Sequence, residues 1–95
     1  MQMILHGGNA RALCYEALGR AKAQDYANAE AKLSEADLEL EKGHEAQTKL
    51  LQGEAQGVNQ AASLLLAHAM DHLANANAEK GLIMEIIELY RRIPA

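Results

Sequence analysis

The chain has 95 residues, about a fifth of them alanine, with no Phe or Trp, three Tyr and a formal net charge of −4. That size makes one small domain, which buries only about 60% of the surface its unfolded chain exposes and gains from oligomerisation. The acidic balance argues against nucleic-acid binding, which needs a basic footprint; no apolar run approaches the roughly 20 residues of direct membrane insertion; and the single Cys14 excludes an intrachain disulfide and favours a reducing, cytoplasmic setting.

Periodicity divides the chain into three helices. In the first, about residues 4–23, Ala10, Leu13, Cys14, Ala17, Leu18 and Ala21 recur at spacings of three and four. Lys22-Ala23-Gln24-Asp25 is a short connector in which Asp25 is a good N-cap for the second helix. That helix, about 26–56, carries Tyr26, Ala29, Leu33, Ala36, Leu40, Gly43, Gln47, Leu50 and Glu54 on one seam. Gly43 costs about 1 kcal/mol relative to Ala there, so it marks a bend, a close approach or a tolerated defect. Gly57-Val58-Asn59-Gln60 reads as the next loop.

The third helix, about 61–92, ends before Pro94. Its second half has Leu82, Ile83, Ile86, Ile87, Leu89 and Tyr90 as apolar residues, with Glu79, Lys80, Glu85, Glu88, Arg91 and Arg92 expected outward. Its first half places Leu64, Ala67, Asp71, Ala74 and Ala78 on one face, so a carboxylate stands in a line of buried-type side chains. The expected fold is all-α, an antiparallel up-down-up three-helix bundle.

A carboxylate on a core seam is costly unless paired, protonated or metal-bound. Asp71 is therefore a capped structural group, one exposed by a slight rotation of the seam, or an axial residue of an oligomer. If three copies met there, three carboxylates would need protons or a shared hard cation such as Mg2+. His68 lies one turn before Asp71, which could orient its ring; imidazole also serves nucleophilic covalent transfer. His72, four residues on, could join His68 as a two-histidine metal pair at i and i+4, to which His44 and His6 could add ligands only if the fold brings them close. Cys14 reads as a small core residue.

These residues carry a resemblance. Leu64-Leu65-Leu66-Ala67-His68-Ala69-Met70-Asp71-His72-Leu73 resembles the Leu-rich approach and His-Ala-Gln-Asp-His-Leu-Met motif of the lactose/cellobiose-type IIA components of the phosphoenolpyruvate-dependent sugar phosphotransferase system. Gly8-Asn9-Ala10-Arg11, Tyr15-Glu16-Ala17-Leu18, Asp25-Tyr26, and His44-x-x-Gln47-Thr48 with Glu54 match in the same order, so the likeness covers nearly the whole chain as one domain, 1–95. Three positions depart from the family pattern: Met70 replaces Gln, Ala74 replaces Met, and Gln24 stands where Gly is usual.

The resemblance implies a homotrimer in which His68 receives a phosphoryl group on Nε2 from the phosphocarrier HPr and passes it to a cysteine of the cognate IIB component. It implies that Asp71 holds one divalent cation, Mg2+ or similar, shared at the trimer axis. His72, Met70 and Gln47 take supporting places. The carrier would serve uptake of a disaccharide such as lactose, cellobiose or diacetylchitobiose, in the cytoplasm and in transient contact with the membrane transporter. Two other readings stay open: a helical oligomer or adaptor without transfer, in which His68 is inaccessible, and a bundle in which His68, His72 and another residue hold one metal ion.

Overall fold

The computed structural model of the chain describes residues 1–54 and 60–94, and nearly all of them lie in three helices: α1 (Gln2–Lys22), α2 (Tyr26–Glu54) and α3 (Gln60–Arg92). No strand occurs among the described residues. α1 starts two residues earlier than its apolar pattern suggests and passes straight through Gly7-Gly8. The expected loop at 57–60 and the expected last residues of helix 2 fall mainly on 55–59, outside the described residues; Gln60 already belongs to α3.

Backbone hydrogen bonds close the α1–α2 turn. The Asp25 N–H donates to the Arg20 carbonyl at 2.8 Å and the Gln24 N–H to the Ala21 carbonyl at 2.9 Å, the paired pattern of a Schellman ending. Such an ending needs a left-handed residue after the C-cap, and Gln24 takes that place at φ 63°. Asp25 then caps α2: its Oδ1 accepts from the Asn28 N–H at 3.5 Å and its Oδ2 from Asn28 Nδ2 at 2.6 Å.

Residue pairings give the directions. Gly7 lies against His72 and Arg11 against Glu79, so α1 and α3 run the same way. His6 meets Glu39 while Lys32 meets Glu16, so α2 runs back against α1. The result is the up-down-up bundle, 57 Å long and 16 × 14 Å across.

The core is built from Met3, Ala10, Cys14, Ala17 and Ala21 of α1, Ala29, Ala36 and Leu40 of α2, and Leu66, Ala69, Leu73, Ala76, Ile83 and Ile87 of α3. So many alanines let the helix axes approach closely, and each contributes little buried area. The α1 and α2 seams read from spacing are the ones that pack. The α3 seam is not. Leu64, Ala67, Asp71, Ala74 and Ala78 are all exposed on the single chain, and Leu64 is 68% exposed. Leu82, Ile86 and Leu89 continue that outward line, whereas Ile83 and Ile87 turn in. α3 is apolar on two faces, and α1 and α2 cover only one of them. Asp71 therefore interrupts an uncovered face rather than the core of the chain.

Glu79 and Lys80, expected outward, instead tie helices together. Glu79 accepts two hydrogen bonds from the Arg11 guanidinium, at 2.5 and 2.9 Å, and Lys80 Nζ lies 2.6 Å from Asp37. At the far end Arg91 pairs with Glu30 at 2.5 Å and stacks 4.6 Å from the centre of the Tyr26 ring. Partly exposed pairs of this kind are worth roughly 0–1 kcal/mol each, so they fix register more than they hold the bundle.

Candidate functional site

The central turn of α3 is set at its height by its neighbours. Gly7 of α1 faces the backbone of His72, where a Cβ would sit 3.6 Å from both the carbonyl carbon and the oxygen. On the α2 side Gly43 faces Leu73, and a Cβ there would fall 2.7 Å from Leu73 Cδ1. Gly43 is thus a close approach, inside a helix that continues through it. Leu73 is 1% exposed and anchors the turn between these two glycines.

His68 and His72 project from this turn on the same side. Their Nε2 atoms lie 3.1 Å apart, and the rings meet edge to face with centres 4.6 Å apart and planes at 89°. His68 is exposed and His72 half-buried. Spacing nominates Asp71 as the orienting partner of His68; the structure gives that place to His72, because residues four apart stack one turn above the other. Among the described residues no hydrogen bond joins His68 to Asp71.

Of the other candidates, Met70 turns inward and packs, partly buried, against the core, so its thioether is a packing group. Gln47 is half-buried on α2, and among the described residues no hydrogen bond brings it to His68 or His72. Thr48 donates to the His44 carbonyl at 3.0 Å within its own helix. His44 Nε2 lies 3.2 Å from Asn77 Nδ2, which donates to it and links α2 to α3. No spacing signal points to Asn77.

His6 sits between α1 and α2, with Nδ1 2.5 Å from Glu39 Oε2 and Nε2 3.0 Å from Gln2 Oε1. The hydrogen bond from His6 holds the Glu39 carboxyl below its usual range, against a smaller opposing effect of burial. Burial pushes the Cys14 thiol up, as suits an unreactive core group.

Nowhere among the described residues do three or more His, Cys, Asp or Glu side chains converge on a metal position, so these residues do not form the three-ligand site. An open groove of about 460 Å³ runs between α1 and α2, lined by Asn9, Leu13, Leu38 and Lys42 among others; it holds no α3 residue and is separate from the histidine pair. The site is therefore an exposed imidazole on a continuous helical turn, with an imidazole neighbour, and among the described residues it lies outside the α1–α2 groove. Such a group suits transfer between docked macromolecules better than binding of a free small molecule.

No helix among the described residues is long and apolar enough to cross a membrane. Residues 1–91 match the family model described as the lactose/cellobiose-specific IIA subunit of the phosphotransferase system. The lichenan-specific phosphotransferase enzyme IIA component of Bacillus subtilis is 49% identical over 92 residues, covering 97% of this chain and 84% of its own. The crystal structure of the cellobiose-specific enzyme IIA from Bacillus anthracis superposes with a TM-score of 0.85 at 43% identity, over 96% of this chain and 84% of that one. A solution structure of the IIA(Chitobiose)–HPr complex from the diacetylchitobiose branch of the Escherichia coli system gives 0.83 at 36% identity, over 98% and 90%. The chain belongs to the lactose/cellobiose-specific IIA family and is a phosphotransferase component of a sugar phosphotransferase system.

Proposed function

We propose that His68 is the phosphoryl carrier, accepting the group from HPr and delivering it to a cysteine of a cognate IIB component. The observation that carries this reading is an exposed His68 whose Nε2 faces a second imidazole at 3.1 Å. One nitrogen of that contact donates and the other accepts. For His68 Nε2 to be the nucleophile its proton must sit on Nδ1, so His72 is the donor through Nε2–H. The lone pair of His68 Nε2 then attacks phosphorus in line while the bond from phosphorus to the donor breaks, with docking supplying the alignment. That attack displaces the His72 N–H from His68, and the same N–H lies within reach of a phosphoryl oxygen and offsets its charge. His72 is in this sense a positioning residue.

The outward face of α3 supports a homotrimer. Leu64, Ala67, Ala74, Ala78, Leu82 and Leu89 remain exposed on a 95-residue chain whose alanine-rich core is thin. Three such faces meeting would gather three Asp71 carboxylates. One carboxylate makes no cation site, but three supply the hard oxygen donors that Mg2+ or a similar ion takes, and the ion would neutralise their mutual repulsion. Asp71→Asn would then remove the dependence of assembly on divalent cations, read by sedimentation with and without chelator.

Relatives are named for lichenan, diacetylchitobiose and cellobiose. A disaccharide such as cellobiose or diacetylchitobiose is the sugar whose uptake we assign to this carrier, which would act in the cytoplasm and meet the transporter through IIB. The test is incubation with phosphorylated HPr. Acid-labile phosphate should appear on His68 and vanish in His68→Ala; absence of transfer from several active HPr proteins would overturn the assignment.

A further inference from the structure

We propose that His68 and His72 form a two-imidazole chelate for a late first-row divalent cation, typified by Zn2+, and that this ion and a phosphoryl group exclude each other at His68. The exclusion rests on the carrier reading above; the chelate does not.

The geometry points to the site. With Zn–N bonds of 2.0–2.1 Å, a nitrogen separation of 3.1 Å closes to an N–Zn–N angle of roughly 95–100°. That lies between the octahedral and tetrahedral angles, so one ion fits without moving either ring nitrogen. The two nitrogens also lie on the facing edges of the rings: the centres are 4.6 Å apart while the nitrogens are only 3.1 Å apart. Both side chains stand on an unbroken helical turn backed by Leu73, so binding orders no loop.

The donor chemistry selects the ion. Neutral imidazole suits zinc, nickel and copper, whereas Mg2+ requires oxygen, so this site is distinct from any cation held by Asp71. No third His, Cys, Asp or Glu converges there among the described residues, and His68 is exposed, so water completes the coordination. An ion held by two protein ligands exchanges readily, which marks it as an inhibitor or regulator rather than a resident cofactor.

Exclusion follows from electron count. The single lone pair on His68 Nε2 forms either a bond to zinc or a bond to phosphorus. Zinc binding moves the His72 proton from Nε2 to Nδ1 of the same ring, so both ligands stay neutral; a phosphoryl group takes the His68 pair and removes one ligand of the chelate.

The experiment uses the tag-free full chain, titrated with Zn2+ in a phosphate-free buffer containing excess Mg2+. One zinc per chain is expected, with binding weakened at least about tenfold in His68→Gln and in His72→Gln, since a lost ligand costs no less than a lost outer-shell partner. His44→Gln should bind as the parent does. Retained affinity in either site variant overturns the chelate. Ring-proton signals of His68 and His72 in the parent protein give a readout that needs no variant, and their failure to move on zinc addition also overturns it. The phosphorylated chain should then lose zinc affinity, and zinc-loaded chain should take up phosphate from phosphorylated HPr more slowly; unchanged values on both counts overturn the exclusion. A chain that binds zinc through both histidines yet takes no phosphate would sink the carrier reading and leave the chelate standing.

Discussion

The two faces of α3 have nearly the same apolar character and opposite fates. The inward face, Leu66, Ala69, Leu73, Ala76, Ile83 and Ile87, is closed by α1 and α2. The outward face, Leu64, Ala67, Ala74, Ala78, Leu82 and Leu89, is left exposed by α1 and α2 and carries Asp71 in its middle. The difference lies in what each faces, not in hydrophobicity. A helix that is apolar on two sides has a second face still to bury, and the proposed trimer would close it.

Truncation should separate the two faces most sharply. Leu73→Ala removes a side chain that is 1% exposed and should cost about 2–5 kcal/mol in chemical denaturation. Leu82→Ala, at 65% exposure, should change the stability of the dissociated chain by less than about 0.5 kcal/mol and show its cost only in the concentration-dependent part of unfolding. Equal losses at the two positions in dilute protein would break the comparison.

A smaller contrast comes from two helical glycines. Gly43→Ala gains about 1 kcal/mol of helix propensity but drives a methyl to 2.7 Å from the packed Leu73, an overpacking of roughly 1–3 kcal/mol, so a net loss near 1 kcal/mol is expected. Gly81 is exposed with no atom within 4 Å of an added Cβ, and Gly81→Ala should raise the urea midpoint of the dissociated chain by the equivalent of about 0.5–1 kcal/mol.

The α1–α2 hairpin supplies a baseline away from both faces. Gln24 holds a left-handed conformation, so Gln24→Gly should stabilise by about 0.5–1 kcal/mol without altering assembly. The smallest effect is a pH dependence. Glu39 titrates below its ordinary 4.5 in the folded chain, so the stability it contributes is complete above that pH and is lost as pH falls through the folded value. Glu39→Gln should flatten the acid limb of a stability profile in that window and leave the neutral region nearly unchanged.

Much of the fold is legible in the sequence because each helix declares itself by period, and Asp25 by its capping chemistry. The α1 and α2 seams are also readable, since each has one dominant apolar line. On α3 the period offers two lines, and spacing alone does not say which one the other helices cover. Glu79 and Lys80 mislead for a related reason: a charge beside a seam looks solvated until its partners, Arg11 and Asp37, arrive from other helices. Within the site, the i, i+4 spacing does bring His68 to His72, but the expectation that Asp71 orients His68 gives too much weight to opposite charge and too little to the edge-to-face contact of two rings along one stripe. The inward turn of Met70 has no sequence signal beyond its apolar character.

Gly7 has a consequence that lies outside the reactive segment. The turn bearing His72 rests on bare backbone from α1, and a methyl at position 7 would already be in van der Waals contact with it. α1 thus acts as a shim of fixed thickness beneath the imidazole pair, setting how far the rings stand out toward an incoming partner. A bulkier residue at position 7 would raise that platform while leaving every residue from 64 to 73 as it is, so mutational searches confined to the reactive helix would never find the position that sets its reach.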